Sequence, residues 1–336
     1  MSATILAIET SCDETAAAVV RDGRESLGDA VASQVDLHAR FGGVVPEIAS
    51  RSHQEVINPI IDEALDRAGL TLGDVDALAV TLGPGLPGAL MVGTATAKAL
   101  AYALGRPLIG VNHLEGHIYA NFLGHPDLKT PFVALVVSGG HTLLAYVAEP
   151  GAYEVLGQTL DDAAGEAFDK VAGYLGLGYP GGPVLERLAA GGDAEAIRFP
   201  RAMIKTPDYN FSLSGLKTAV LYYVQKKRAA GEEINLPDLA AGFQAAIIDV
   251  QAYKTLRATE DKKVDTIVLA GGVAANKALK DKLEREAGRR GWRLFSPPLE
   301  LCTDNAVMIG AAAWPKWLKR DFLSLDAEAS PNMALG

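Results

Sequence analysis

Thr4-Ile5-Leu6-Ala7-Ile8-Glu9-Thr10-Ser11-Cys12-Asp13-Glu14-Thr15-Ala16-Ala17-Ala18-Val19-Val20 places two apolar runs around one polar cluster. The run from Thr4 to Thr10 has the length and apolar character of a buried strand, although Glu9 interrupts it. Ser11 to Thr15 is polar, and Ala16 to Val20 is a second apolar run leading to the hairpin signal Arg21-Asp22-Gly23-Arg24. The polar cluster is therefore expected on a tight loop at a sheet end. Such a loop can set backbone N–H groups and hydroxyls around a phosphate. Adjacent carboxylates at Asp13 and Glu14 repel an anion unless a cation intervenes, so a general base or an orienting role fits them as well as a solvated turn does.

The pattern occurs again further along the chain. Phe132 to Val137 reads as a strand, Ser138-Gly139-Gly140-His141-Thr142 as its loop, and Leu143 to Val147 as the returning strand. A third strand is expected near Tyr153 to Thr159. Two halves of similar plan follow from this echo. At 336 residues the chain is long enough for two domains, and Pro126 to Pro131 is the best linker. We expect lobes at 1–128 and 129–302, with the segment 303–336 packing back on the first.

Between the two patterns, Gly42-Gly43-Val44-Val45-Pro46-Glu47 turns into a helix that carries Ser50, Arg51 and His53 and stops at Gly69. Strand Ala77 to Leu82, the turn Gly83-Pro84-Gly85-Leu86-Pro87-Gly88 and a helix to Leu104 follow. That unit suits either an anion at a helix N-terminus or close packing of helix on sheet. It lacks the Lys-Ser/Thr of a Walker loop.

Asn112-His113-Leu114-Glu115-Gly116-His117 follows a short strand, Leu108 to Val111. Histidines four apart on a helix leave the same face, and neutral imidazole is a common metal ligand. Packing or capping would explain the same spacing. Asp161 to Lys170 opens another helix, with Asp161 and Asp162 suited to its first turn. Tyr179-Pro180-Gly181-Gly182-Pro183 reads as a rigid turn with bare backbone. Gly271 to Lys277 is again a strand end, glycine pair and helix, with Asn276 placed to meet a nucleotide. Cys302-Thr303-Asp304-Asn305 precedes the last helix, where Thr303 or Asp304 is a fair cap and Asp304 is also a candidate ligand.

Composition narrows the class. Apolar residues are 49% and charged residues 21%, the balance of a soluble globular enzyme. Two cysteines, Cys12 and Cys302, make no disulfide framework and point to a reducing compartment, the cytoplasm. There is no signal-peptide pattern, and the most apolar long window, Leu86 to Leu104, is too broken by glycine and Lys98 to span a membrane. A net charge of −10 argues against general nucleic-acid binding. Residues 201–336 are nevertheless mildly basic, and a modest surface for RNA or a solvated helix face both fit.

Taken together, Ile8 to Thr15, the His113/His117 pair, Val137 to Thr142, Asp161 to Lys170, Pro180 to Pro183, Gly271 to Lys277 and Cys302 to Asn305 resemble the TsaD family over nearly the whole chain. These are the tRNA N6-adenosine threonylcarbamoyltransferases, once labelled glycoproteases. The resemblance implies an α/β, two-lobed actin-like ATPase (ribonuclease H-like) fold with a central cleft. It implies one divalent metal ion per subunit, iron or zinc, on His113, His117 and Asp304. It also implies transfer of threonylcarbamoyl from threonylcarbamoyl adenylate to N6 of the adenosine 3′ of the anticodon, in tRNAs reading codons that start with A. Val136, Val137, Ser138, Gly139, Gly140, Asp169, Gly182 and Asn276 match the family's substrate positions, and TsaB and TsaE are the implied partner proteins. Asp13 or Glu14 is our expected base.

Three other functions compete with this one. A zinc protease would need Glu directly after the first histidine, but Leu114 stands there and Glu115 is turned about 200° from His113. A small-molecule kinase of the same fold needs no histidine pair. A non-enzymatic assembly subunit would be expected to lack the metal ligands.

Overall fold

The computed structural model describes residues 2–336, which divide into two compact units. One contains the chain up to Leu128 together with Pro297–Gly336; the other is Lys129–Ser296.

The first unit is built on strands β1 (Thr4–Glu9), β2 (Glu14–Arg21), β3 (Glu25–Ser33), β4 (Ala77–Gly83) and β5 (Leu108–Asn112), in the order β3-β2-β1-β4-β5. β1 pairs antiparallel with β2 and parallel with β4, and β4 pairs parallel with β5. Its helices are α1 (Val35–Ala39), α2 (Pro46–Ala68), α3 (Pro87–Leu104) and α4 (His113–Gly124). The sheet is covered on both faces, which is why β1 and β4 read as continuous apolar runs. Leu6, Ile8, Leu78 and Val80 pack with Ile57, Ile61, Ala64 and Val92 of α2 and α3. Alternation turns Ile5, Ala7 and Glu9 to the opposite face.

The second unit repeats the plan. Its strands are β6 (Phe132–Val137), β7 (Thr142–Glu149), β8 (Ala152–Gln158), β9 (Thr266–Ala270) and β10 (Arg293–Phe295), ordered β10-β9-β6-β7-β8. β6 again pairs antiparallel with its successor and parallel with β9. The helices are α5 (Ala164–Leu175), α6 (Gly181–Ala189), α7 (Ser214–Ala229), α8 (Leu236–Asp261) and α9 (Lys277–Gly288). The last helix, α10 (Ala306–Lys319), belongs to the first unit and packs against α4, β1 and β2. Among the described residues, no helix is long and apolar enough to cross a membrane.

Several expectations need correcting. α5 starts at Ala164, so Asp161 and Asp162 precede it. Asp161 instead accepts hydrogen bonds from the Leu213 N–H and the Ser212 and Ser214 hydroxyls (2.6–2.7 Å), fixing the start of α7. The turn expected at Gly181-Gly182 is the first turn of α6, a helix that follows Pro180 and includes Pro183. Asn305, not Thr303 or Asp304, caps α10, accepting the Met308 N–H at 2.9 Å.

The glycine turn before α3 serves packing. A Cβ on Gly85 would lie 2.6 Å from the Ser11 carbonyl oxygen, and the neighbouring Leu86 N–H donates to that same oxygen at 2.8 Å. The turn thus backs the loop between β1 and β2. Gly85→Ala is expected to destabilise the protein by about 1–3 kcal/mol, the usual cost of overpacking against backbone. Denaturant unfolding of the variant beside the wild type measures this.

Candidate metal centre

The ends of β5 and β1, which flank β4 in the first unit, converge on one point. Asn112 closes β5 and caps α4, its side-chain oxygen accepting the Leu114 N–H at 2.9 Å. Its amide donates to Ala334 O at 2.9 Å, tying the cap to the C-terminal segment. The cap fixes where α4 begins, and His113 and His117 leave one face of it with ring centroids 4.6 Å apart. β1 ends beside them at Glu9, which is fully buried.

Asp304 lies just before α10, next to its cap Asn305. A Cβ on Gly116 would sit 2.8 Å from Ile309 Cδ1, and one on Gly310 would sit 2.5 Å from Val20 Cγ2. The bare backbone at both positions lets α10 lie close on α4 and β2. Because Asn305 does the capping, the Asp304 carboxylate is left to face the histidines. Its Oδ1 is 3.1 Å from His117 Nε2 and 3.5 Å from His113 Nε2. His113, His117 and Asp304 offer one ligand atom each, all within 4.8 Å of one another.

The surroundings orient these groups. Glu9 Oε2 lies 3.1 Å from His113 Nδ1 and accepts the Thr81 hydroxyl at 2.6 Å, while Oε1 accepts the Ser11 N–H at 2.5 Å. Ser11 Oγ is also 3.1 Å from His113 Nδ1. With Nδ1 engaged, Nε2 of His113 is the nitrogen turned to Asp304. Carboxylate support of this kind fixes ring orientation and raises ligand basicity in metal sites. Burial by itself would raise the Glu9 pKa, but the His113 charge and hydrogen bond reverse this and hold it below the usual range. Burial likewise opposes charge on His113, yet Asp304 and Glu9 outweigh it and lift its pKa to about 9.

The three residues fit a divalent ion. His117 is fully buried, and neither ring nitrogen has a hydrogen-bond partner among the described residues. Its Nε2 is near Asp304 without the alignment of a hydrogen bond. Leaving a buried imidazole unsatisfied is costly, and a metal bond to Nε2 removes part of that cost. The donor set, two nitrogens and a carboxylate oxygen, is of the type that holds zinc or iron.

The β1–β2 loop lies beside this cluster. Asp13 is buried and Glu14 partly so. Burial first, then the Asp304 and Asp13 carboxylates, push Glu14 up to about 10. Burial and the Asp13 and Asp304 charges also push the Cys12 thiol well up, making it a poor nucleophile. Glu115 faces the other way, 3.5 Å from Lys316 Nζ, which removes the carboxylate that a protease reading would need.

The remaining predicted positions lie in the second unit. The Ser138 N–H donates to His141 O at 2.8 Å, closing a turn between β6 and β7. α5 starts against this turn, with the Gly165 and Glu166 N–H groups donating to Ser138 O and Gly139 O. Gly139, Gly140 and Gly182 have nothing near the position of a Cβ. The Val136 and Val137 side chains are wholly buried, leaving only their main chain for a ligand. Asp169 accepts the Gly181 N–H at 2.7 Å and so fixes the start of α6. Asn276 caps α9 and donates to Gln244 Oε1 at 2.9 Å, so its side chain is already engaged.

Residues 25–311 match the sequence model of the family TsaD: tRNA N6-adenosine threonylcarbamoyltransferase. A Clostridium botulinum (strain 657 / Type Ba4) protein of that name is 57% identical over 335 residues, 100% of this chain and 98% of its own. A Clostridium perfringens (strain SM101 / Type A) protein of the same name is 54% identical over 332 residues, 99% of this chain and 98% of its own. Among solved structures, T. kodakarensis HypF superposes with a TM-score of 0.63 at 14% identity, over 96% of this chain and 48% of that longer one. The activator of 2-hydroxyisocaproyl-CoA dehydratase from Clostridium difficile, with bound ADPNP, gives 0.55 at 12% identity over 96% and 100%. These likenesses identify the fold, which is of the actin-like ATPase type. The chain belongs to the TsaD family, and the protease and small-molecule kinase readings are not favoured.

The Glu9 carboxylate is expected to support the metal without touching it. Glu9→Gln should retain one divalent ion per chain but bind it about 10–100-fold more weakly, whereas His117→Ala should lose it. Chelator competition followed by elemental analysis distinguishes the three proteins.

Proposed function

We propose that this chain transfers the threonylcarbamoyl group from threonylcarbamoyl adenylate to the N6 amine of the adenosine 3′ of the anticodon, in tRNAs reading codons that start with A. Family membership over the whole chain supports the reaction. The cluster of buried His113 and His117 with partly buried Asp304, and the Asp13 loop beside it, supports its assignment to these residues.

The balance is simple. A bond forms between N6 and the carbamoyl carbon, the bond from that carbon to the phosphate oxygen breaks, and AMP leaves with the electron pair. One proton must leave N6. The amine is conjugated with the purine ring and is a weak nucleophile. A divalent ion on His113, His117 and Asp304, which we assign as iron or zinc, supplies Lewis-acid polarisation of the donor when bound.

Asp13 takes the proton in this reading. Glu14 already accepts the Ser33 hydroxyl at 3.2 Å, and burial raises its pKa, so we assign it a supporting role beside Asp13. In the second unit we assign the open glycine turns at Ser138-Gly139-Gly140 and Gly182 to the adenylate, whose phosphate charge backbone N–H groups can hold. Val136 and Val137 would contribute main chain only, and Asp169 and Asn276 would hold the turns in place. The reading also implies TsaB and TsaE as partner proteins, a separate enzyme to make the adenylate, and a cytoplasmic setting.

The test is mass spectrometry of nucleosides from unmodified tRNA incubated with metal-loaded protein, the partner proteins and threonylcarbamoyl adenylate. Wild type should add the threonylcarbamoyl mass to adenosine. Asp13→Asn should slow this by about 10²–10⁴-fold, the range for loss of a general base, with metal retained, and Glu14→Gln should be milder. No added mass with wild type would overturn the reaction. Full activity in Asp13→Asn would overturn the base.

A further inference from the structure

The segment joining β3 to α1 and the buried face of α2 carry a chain of polar side chains that the metal cluster does not use. His53 on α2 and His38 on α1 are fully buried, as is Thr15, and Gln34 nearly so. His53 Nε2 stands 3.0 Å from the Cys12 carbonyl oxygen. A carbonyl only accepts, so Nε2 carries the hydrogen and Nδ1 is the acceptor. Two donors face Nδ1: the Thr15 hydroxyl at 2.7 Å and the Gln34 amide nitrogen at 3.4 Å. The Gln34 amide is thereby oriented, and its oxygen takes the His38 Nε2 hydrogen at 3.1 Å. His38 Nδ1 in turn accepts the Val45 N–H at 3.3 Å. Every donor meets an acceptor when both histidines are neutral.

The chain ends on Asp13 from both sides. His53 holds the carbonyl of Cys12, and the Gln34 backbone N–H donates to the carbonyl of Asp13 at 3.0 Å. The two peptide groups flanking the Asp13 side chain are therefore pinned by two residues that are hydrogen-bonded to each other. Apolar side chains would fill the same space without the cost of burying four polar ones. What the polar set adds is direction, since a satisfied buried network specifies one arrangement.

We propose that His53, backed by Gln34, is a positioning residue that aims Asp13 at the amine for proton transfer. This rests on the transferase reading with Asp13 as base. His53 acts through the Cys12 carbonyl. Burial keeps it neutral, holding its pKa below the usual histidine range against the Cys12 carbonyl, Glu9 and Asp13.

The experiment uses the metal-loaded full chain with its partner proteins and follows transfer to tRNA. Relative to wild type, His53→Leu should lower kcat by about 10–100-fold, as expected for a misplaced reacting group, with unchanged KM for tRNA and unchanged bound metal. His53→Gln, which keeps a donor for the Cys12 carbonyl, should recover most of that loss. In an Asp13→Asn background, His53→Leu should cost nothing further, because the two act as one unit. Gln34→Met, nearly isosteric, supplies the same comparison if His53→Leu does not fold. Wild-type kcat in both His53→Leu and Gln34→Met would overturn the inference. So would an equal loss in His53→Gln, or fully multiplied losses in the double variant. An inactive wild type would overturn the transferase reading itself.

Discussion

A carboxylate at the end of a fully buried strand is the constraint on which the site depends. Glu9 has no solvent, and desolvating an ionised carboxylate costs several kcal/mol unless each oxygen is matched. Thr81 from β4, the Ser11 N–H and His113 from α4 supply the match. Those partners lie in or directly after β1, β4 and β5, adjacent in that order, so the sheet topology is what makes the charge tolerable. In return, the carboxylate fixes one ring nitrogen of His113 and turns the other toward His117 and Asp304. Close packing of α10 through Gly116 and Gly310 completes the set.

The two units share one strand plan and differ in the residues that follow the first strand. In each, the first strand pairs antiparallel with the second and parallel with the fourth. After the first strand come Asp13 in the loop and Glu14 at the start of β2 in one unit, and Gly139 and Gly140 in the loop of the other. Carboxylates beside a cation site suit proton transfer and metal support. Glycines with open space at the Cβ position suit the approach of a ligand to backbone. The topology sets where the loop lies, and its side chains decide what it can do.

Much of this was legible in the sequence because it rests on period and punctuation. The apolar runs at Thr4–Thr10 and Phe132–Val137, the Pro46 start and Gly69 stop of α2, and the four-residue spacing of His113 and His117 are all local signals. What was not legible depends on packing. Thr303, Asp304 and Asn305 are all chemically competent caps, and only the path of the chain into α10 selects Asn305. The Gly181-Gly182 pair reads as a turn, yet Asp169 accepts the Gly181 N–H and Gly181 and Gly182 lie in the first turn of α6. Glu9 was visible only as an interruption of an apolar run. A charge inside a strand buried on both faces was itself the signal that a partner awaited it. The His53–Gln34–His38 chain left no pattern, since its members come from different elements.

On this reading Glu9-supported His113, His117 and Asp304 form one metal site. Anomalous diffraction from crystals of the zinc- or iron-loaded protein, collected on either side of the metal edge, tests it most directly. A single strong peak is expected in bonding contact with His113 Nε2, His117 Nε2 and an Asp304 oxygen, with Glu9 still on His113 Nδ1. A loaded, folded protein with its metal peak elsewhere, or with His113 and His117 uncoordinated, would contradict it.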